Sequence, residues 1–146
     1  MFIPARITLM PATSNKPKVY ATAIGRRKES IVVARLIPGS GQVTVNGQSA
    51  EKYFNHNPAA LAKLDLPMKT AAVTKYNVVV SARGGGNVGQ LDAVVLAISR
   101  ALVKIKEDYR SPLRNLGLLT RDSRIRQRRQ VGTGGKSRRR KQSPKR

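Results

Sequence analysis

An α+β domain followed by a long extended basic C-terminal arm is the architecture this sequence predicts, and three observations carry the prediction. Short β-branched runs punctuated by turn residues fill the first half and return at Tyr76 to Ala82. One stretch, Val88 to Ile105, repeats its apolar residues at spacings of three and four. Beyond Thr120 aliphatic residues almost vanish. The chain of 146 residues suffices for one modest core and is too short for two. The expected division is a flexible N-terminal extension over 1–18, a globular domain over 19–120 and an extended arm over 121–146.

The first 18 residues contain no acid and no continuous apolar stretch that could act as a secretory signal. A segment tied to organelle import and a disordered basic leader fit them equally. Val19, Ala21, Ala23 and Ile24, then Ile31 to Ile37, read as two strands joined by a charged turn over Gly25 to Ser30. Pro38, Gly39 and Gly41 set off the short Val43 to Val45 run. Asn46-Gly47 after it signals a hairpin-type turn, because both residues accept positive φ. A meander of three short strands is the simplest arrangement.

Two brief helices follow in SAEKYF and PAALAKLD, with Ser49 and Asn57 placed as caps and Pro58 suited to a first helical position. The Val-rich strand at Tyr76 to Ala82 runs directly into Arg83-Gly84-Gly85-Gly86. Val88, Leu91, Val94, Val95, Ile98, Leu102 and Ile105 then define a helix that packs one face on a sheet. Ser111-Pro112 restarts a short helical turn, which Gly117 should end by taking a left-handed exit. Of the 26 residues from Arg121 onward, 12 are Lys or Arg and only Asp122 is acidic. Such a segment cannot bury enough apolar surface to offset its conformational entropy, so it should order only on a partner.

Charge selects that partner. Against 29 Lys and Arg stand 7 Asp and Glu, a formal net charge of +22. A chain so self-repelling calls for a polyanion, nucleic acid above all. No apolar run approaches the roughly 20 residues of a membrane span, so no membrane partner is expected. Cysteine is absent, which removes disulfides and thiolate chemistry and fits a reducing compartment. The lone histidine, His56, falls in a predicted loop; without cysteine or clustered carboxylates it completes neither a metal shell nor a nucleophilic triad, so no metal, no cofactor and no catalytic residue is expected.

Gly84-Gly85-Gly86-Asn87-Val88-Gly89 matches G-x-G-x-x-G between a strand and a helix. A dinucleotide site would also need a further parallel strand closed by an acid for the ribose. Here Glu107 and Asp108 lie at the helix end and no such strand follows, which argues against a nucleotide-binding enzyme. Two readings of the loop remain: bare backbone amides beside Arg83 that receive an RNA phosphate, or a plain glycine connector needed for a tight strand-to-helix turn. Arg26-Arg27-Lys28, on the predicted turn with only Glu29 nearby, reads as unpaired charge for phosphate contact rather than as a merely solvated loop. Tyr53, Phe54 and Tyr76 read as core; with aromatic content at 4%, recognition should rest on phosphates and RNA shape rather than base stacking. Arg outnumbers Lys in the tail, and guanidinium forks bind phosphates at two points. A DNA-compacting protein would need only the basic tail and would leave the specific loops unexplained.

GRRKES at Gly25 to Ser30, NGQSAEKYF at Asn46 to Phe54, RGGGNVGQ at Arg83 to Gln90, SRAL at Ser99 to Leu102 and GLLTRDSR at Gly117 to Arg124 together resemble the bacterial-type family of small-subunit ribosomal protein nine. The likeness runs from about Tyr20 to the C-terminus. The resemblance implies a two-layer α/β sandwich with a four-stranded sheet, of the kind named after the second domain of small-subunit ribosomal protein five. It further implies a structural, non-enzymatic constituent of the subunit head, in contact with small-subunit ribosomal RNA (rRNA) and with neighbouring ribosomal proteins, whose arm reaches toward peptidyl-site tRNA.

Carried over by motif, the rRNA contacts would be Arg26, Arg27, Lys28, Arg83, Gly84, Gly85, Gly86 and Gly89, with Arg121, Arg124, Arg126, Arg128, Arg129, Lys136, Arg138, Arg139 and Arg140 along the arm. Lys145 and Arg146 would face the tRNA. The chain departs from the family's usual Gln-Phe-Ser-Lys-Arg ending in Gln142-Ser143-Pro144-Lys145-Arg146, and has Thr133-Gly134-Gly135 where lysines are usual. EDYRSPLR and GLLTRDSR resemble plastid and cyanobacterial members, which implies a chloroplast ribosome, with a bacterial cytoplasmic one as the alternative.

Overall fold

The computed structural model describes residues 18–128; the predicted N-terminal extension up to residue 17 and the arm from residue 129 lie outside the described residues. Ten elements follow in order: β1 (Ala21–Arg27), β2 (Ser30–Pro38), β3 (Val43–Val45), β4 (Gln48–Ser49), α1 (Ala50–Tyr53), α2 (Pro58–Thr70), β5 (Tyr76–Arg83), α3 (Asn87–Ile105), a 3-10 turn (Glu107–Tyr109) and α4 (Arg110–Asn115). The α+β class is as expected.

β1 and β2 form an antiparallel hairpin whose register runs from Ala21 opposite Leu36 to Arg27 opposite Ser30. The strand therefore continues through Arg26 and Arg27, and only Lys28 and Glu29 make the turn, Lys28 taking a φ of 51°. A two-residue turn suits the twist of the hairpin and extends the ladder into the charged stretch. The expected meander is corrected. β5 lies between β2 and β3, antiparallel to the first and parallel to the second, giving the order β1-β2-β5-β3-β4. The parallel pairing requires a crossover, which α1 and α2 supply. The sheet has five strands where four were implied, because Asn46-Gly47 turns β3 back onto the two-residue β4, with positive φ at both positions.

α2 runs to Thr70, well past the expected PAALAKLD, with Pro67 inside it. Burial of Leu64, Pro67 and Met68 overrides the lost backbone donor at the proline. At α4 the Schellman exit is complete: the Gly117 amide donates to the Arg114 carbonyl at 2.9 Å and Leu118 to Leu113 at 3.0 Å, with Gly117 at φ 70°.

α2 and α3 cover one face of the sheet, whose inward residues Ala23, Val32, Ala34, Leu36, Val78 and Val80 meet Ala93, Val94, Ala97, Ile98, Ala101 and Leu102 of α3. Small residues on both sides let β1 and α3 approach closely. β1 is an edge strand, and α3 also caps its open carbonyls: Arg100 donates to Ile24 O at 3.0 Å and Lys104 to Thr22 O at 2.7 Å. Cations on an edge discourage further strand pairing.

Candidate nucleic-acid interface

At one end of the sheet the fold gathers four segments far apart in sequence: the β1–β2 turn, the glycine loop after β5, the N-terminus of α3 and the start of the basic arm. They surround a cleft of about 550 Å³ lined by Lys28, Ser30, Gly85, Gly86, Val88 and Arg126, among others. The convergence follows from the antiparallel β2–β5 register, which sets Ile31 opposite Arg83 and so delivers the glycine loop beside the turn.

The glycines divide into two kinds. A Cβ at Gly84 would stand 2.7 Å from Glu29 O, one at Gly85 2.1 Å from Ser30 Oγ, and one at Gly89 2.9 Å from that same oxygen. Gly84 and Gly85 also hold φ values of 68° and 65°, open to glycine at little strain. Close packing against the turn accounts for these three. Gly86 has an ordinary backbone and nothing within 4 Å of its missing side chain, so packing does not explain it. It occupies the N-cap of α3, where no side chain accepts from the first-turn amides; those amides and the positive end of the helix dipole face the open side. Gln90 fixes the loop, its Nε2 donating to Gly84 O at 3.1 Å while its Oε1 accepts from Tyr53 Oη at 2.6 Å. Ser30 Oγ, buried beneath the loop, has no hydrogen-bond partner in the structure.

The three adjacent cations also divide. Arg26 is exposed on the outer sheet face and Lys28 is exposed on the turn. Arg27, expected to be unpaired, turns inward and is engaged. Its guanidinium pairs with Asp122 (2.9 Å) and lies 3.6 Å from Asp92, and Nη1 donates to Arg124 O at 2.6 Å. Asp92 also takes Lys63 at 2.6 Å. Arg124 folds back on Asp122, with its backbone amide at 2.9 Å from Oδ1 and its Nη2 at 2.7 Å from Oδ2. These Arg124 hydrogen bonds, with the Arg27 charge behind them, hold the Asp122 carboxyl well below the usual carboxylate range. The carboxylate thus stays charged throughout physiological pH. Arg27 and Asp122 together pin the root of the arm to the domain.

Apart from Glu29, exposed on the turn and lining the cleft, the charges left unpaired at this end are basic. Among the described residues Arg26, Lys28, Arg83, Arg121, Arg126 and Arg128 make no ion pair, whereas Asp92 and Asp122, the acids that pin the arm root, are both engaged. Arg129, Lys136, Arg138, Arg139, Arg140, Lys145 and Arg146 lie outside the described residues. Sequence reasoning missed Asp92 and Gln90 as the anchors of this end. It also missed Arg35, exposed on the same outer sheet face as Arg26 and Arg83; the period of two through β2 is the signal that could have found it.

Arg27→Met should loosen the arm root while leaving the sheet formed. Because Asp92 and Asp122 are partly solvated, the expected loss of stability is modest, about 1–2 kcal/mol in chemical denaturation. Amide hydrogen exchange over residues 121–126 should accelerate far more than exchange in β2 or α3.

Comparison with known proteins gives one consistent answer. Residues 25–146 match the family described as Ribosomal protein S9/S16. The chain is 47% identical over 122 residues to "Small ribosomal subunit protein uS9" of a Picosynechococcus species, covering 83% of this chain and 88% of that protein. It is 41% identical to the protein of the same name from Microcystis aeruginosa, over 84% of this chain and 90% of the relative. With that of Nostoc punctiforme it shares 39% identity, over 85% and 91%.

Proposed function

Since the chain belongs to the Ribosomal protein S9/S16 family, a structural and non-enzymatic class, we propose that it works in the small ribosomal subunit as an rRNA clamp with a tRNA-directed arm. The observation that carries this reading is the convergence of unpaired cations and a bare helix N-terminus at the point where the arm leaves the domain. Arg26, Lys28 and Arg83 give point and fork contacts to rRNA phosphates, and the amides at Gly86 and the first turn of α3 receive one phosphate at close range. Gly84, Gly85 and Gly89 shape that loop, and Arg27 and Arg124 hold the arm root in a fixed direction.

From Arg121 onward the arm neutralises close-packed rRNA phosphates in the subunit head. Residues 121–146 act as a segment distinct from the domain over 19–120, and residues 1–18 as an extension to it. Lys145 and Arg146 reach peptidyl-site tRNA, and neighbouring proteins of the head complete the surroundings. The chain's place is a plastid ribosome, with the bacterial cytoplasm as the alternative; relatives from cyanobacteria are compatible with both.

Sucrose-gradient fractionation of cells expressing the tagged chain tests the core of this reading: it should sediment with small subunits and survive washing at moderate salt. Sedimentation with free nucleoid instead would refute it. Removing residues 143–146 should leave sedimentation intact and weaken peptidyl-site tRNA binding about fivefold to tenfold, the loss of one or two charge-assisted contacts. Equal tRNA affinity in filter binding would remove the tRNA role alone.

A further inference from the structure

α2 and α3 cover one face of the sheet, and no described element covers the other. On that face Arg26, Ile31 and Arg83 form one cross-strand row. Ile24, Val33 and Ser81 form the next, and Thr22, Arg35 and Val79 the one after. Ile24 and Ile31 are each 47% exposed and Val79 38%. Aliphatic side chains so exposed on adjoining strands, Ile31 and Val79 on the interior β2 and β5 and Ile24 beside them on β1, mark a surface meant to be covered. None of the seven acidic residues lies on any strand, so the face carries arginines, aliphatic groups and the hydroxyls of Thr22 and Ser81, and no acid.

Charge decides what covers it. Residues 1–17 and 129–146 contain no acid, so neither end of this chain offers a complementary charge. A second copy would set arginine against arginine. An RNA segment offers both halves of what the face presents, phosphates for guanidiniums and ribose edges or unpaired base faces for aliphatic groups.

We propose that this open sheet face, with Arg26, Arg35 and Arg83 set around Ile24, Ile31 and Val79, is a second docking surface for rRNA, which shares Arg26 and Arg83 with the contacts beside the glycine loop and extends from them across β2 to Arg35. The inference rests on the ribosomal reading above and adds to it a surface centred on β2. Neighbouring strands lie about 4.8 Å apart, so Arg26 and Arg83 stand about 10 Å apart across Ile31, with Arg35 about 13 Å further along β2. A triangle of that size spans several nucleotides rather than one phosphate.

Two measurements on the full chain test it. In small subunits reconstituted with the chain carrying the photo-crosslinker p-benzoylphenylalanine at position 79, irradiation should give an adduct to rRNA. An adduct to protein, or none, overturns the proposal. Arg35→Ala should lower affinity for small-subunit rRNA about tenfold and reduce the log-log salt slope by about 0.7–0.9, one phosphate contact, while Arg35→Lys keeps the slope. Arg35 is exposed, so thermal unfolding of the free variant should match the parent. If the parent binds rRNA and Arg35→Ala binds with the same affinity and slope, this surface is refuted and the ribosomal reading stands. If the parent itself fails to bind, the ribosomal reading is what falls.

Discussion

Gly25→Ala should cost the protein about 3 kcal/mol or more, a drop in melting temperature of about 10 °C, although it adds a single methyl group. A Cβ at this position would stand 1.9 Å from Ala93 O and 2.8 Å from Ala97 N. Both are backbone atoms of α3, so no rotamer change relieves the clash and the helix must lift off β1. Lifting it uncovers Ala93, Val94, Ala97 and Ile98, all fully buried, and draws Arg100 and Lys104 away from the edge carbonyls they cap. Gly86→Ala is the control, because nothing lies within 4 Å of the added carbon and the backbone there is ordinary; its melting temperature should stay within about 2 °C. A Gly25→Ala variant as stable as Gly86→Ala would mean that the helix and strand are not packed as described.

That glycine shows where the sequence was and was not legible. Periodicity made α3 and the alternating strands readable, because each obeys a rule confined to its own neighbours: apolar residues at three and four, or at two. Turn chemistry at Asn46-Gly47 and Gly117 was readable for the same reason. Gly25 stood in a charged run and read as part of a turn; only the tertiary approach of α3 explains it. The placement of β5 between β2 and β3 likewise depends on pairing between residues more than 30 apart, as Val45 with Val80, and no local pattern encodes it. At the site, charge composition pointed to a polyanion. It could not separate Arg26 from Arg27, adjacent in sequence, because strand alternation sends one outward and the other inward to Asp92 and Asp122.

Removing residues 129–146 should have the largest effect on binding of any change considered. The truncated chain keeps every contact described above, including Arg27 with Asp122. It loses eight Lys and Arg and no acid. If six of the eight neutralise phosphates, the log-log slope of rRNA affinity against salt should fall by about 4–5, at about 0.7–0.9 per contact. Between about 50 and 200 mM salt a set of six contacts changes affinity about a thousandfold, so the full chain should lose that much more than the truncated one over the same interval. Filter binding at four or five salt concentrations reads the slope directly. A spectator arm would give parallel lines for the two chains. Lines converging at high salt would show that the arm's contribution comes from counterions released along RNA, as the role proposed for a segment with so few aliphatic residues requires.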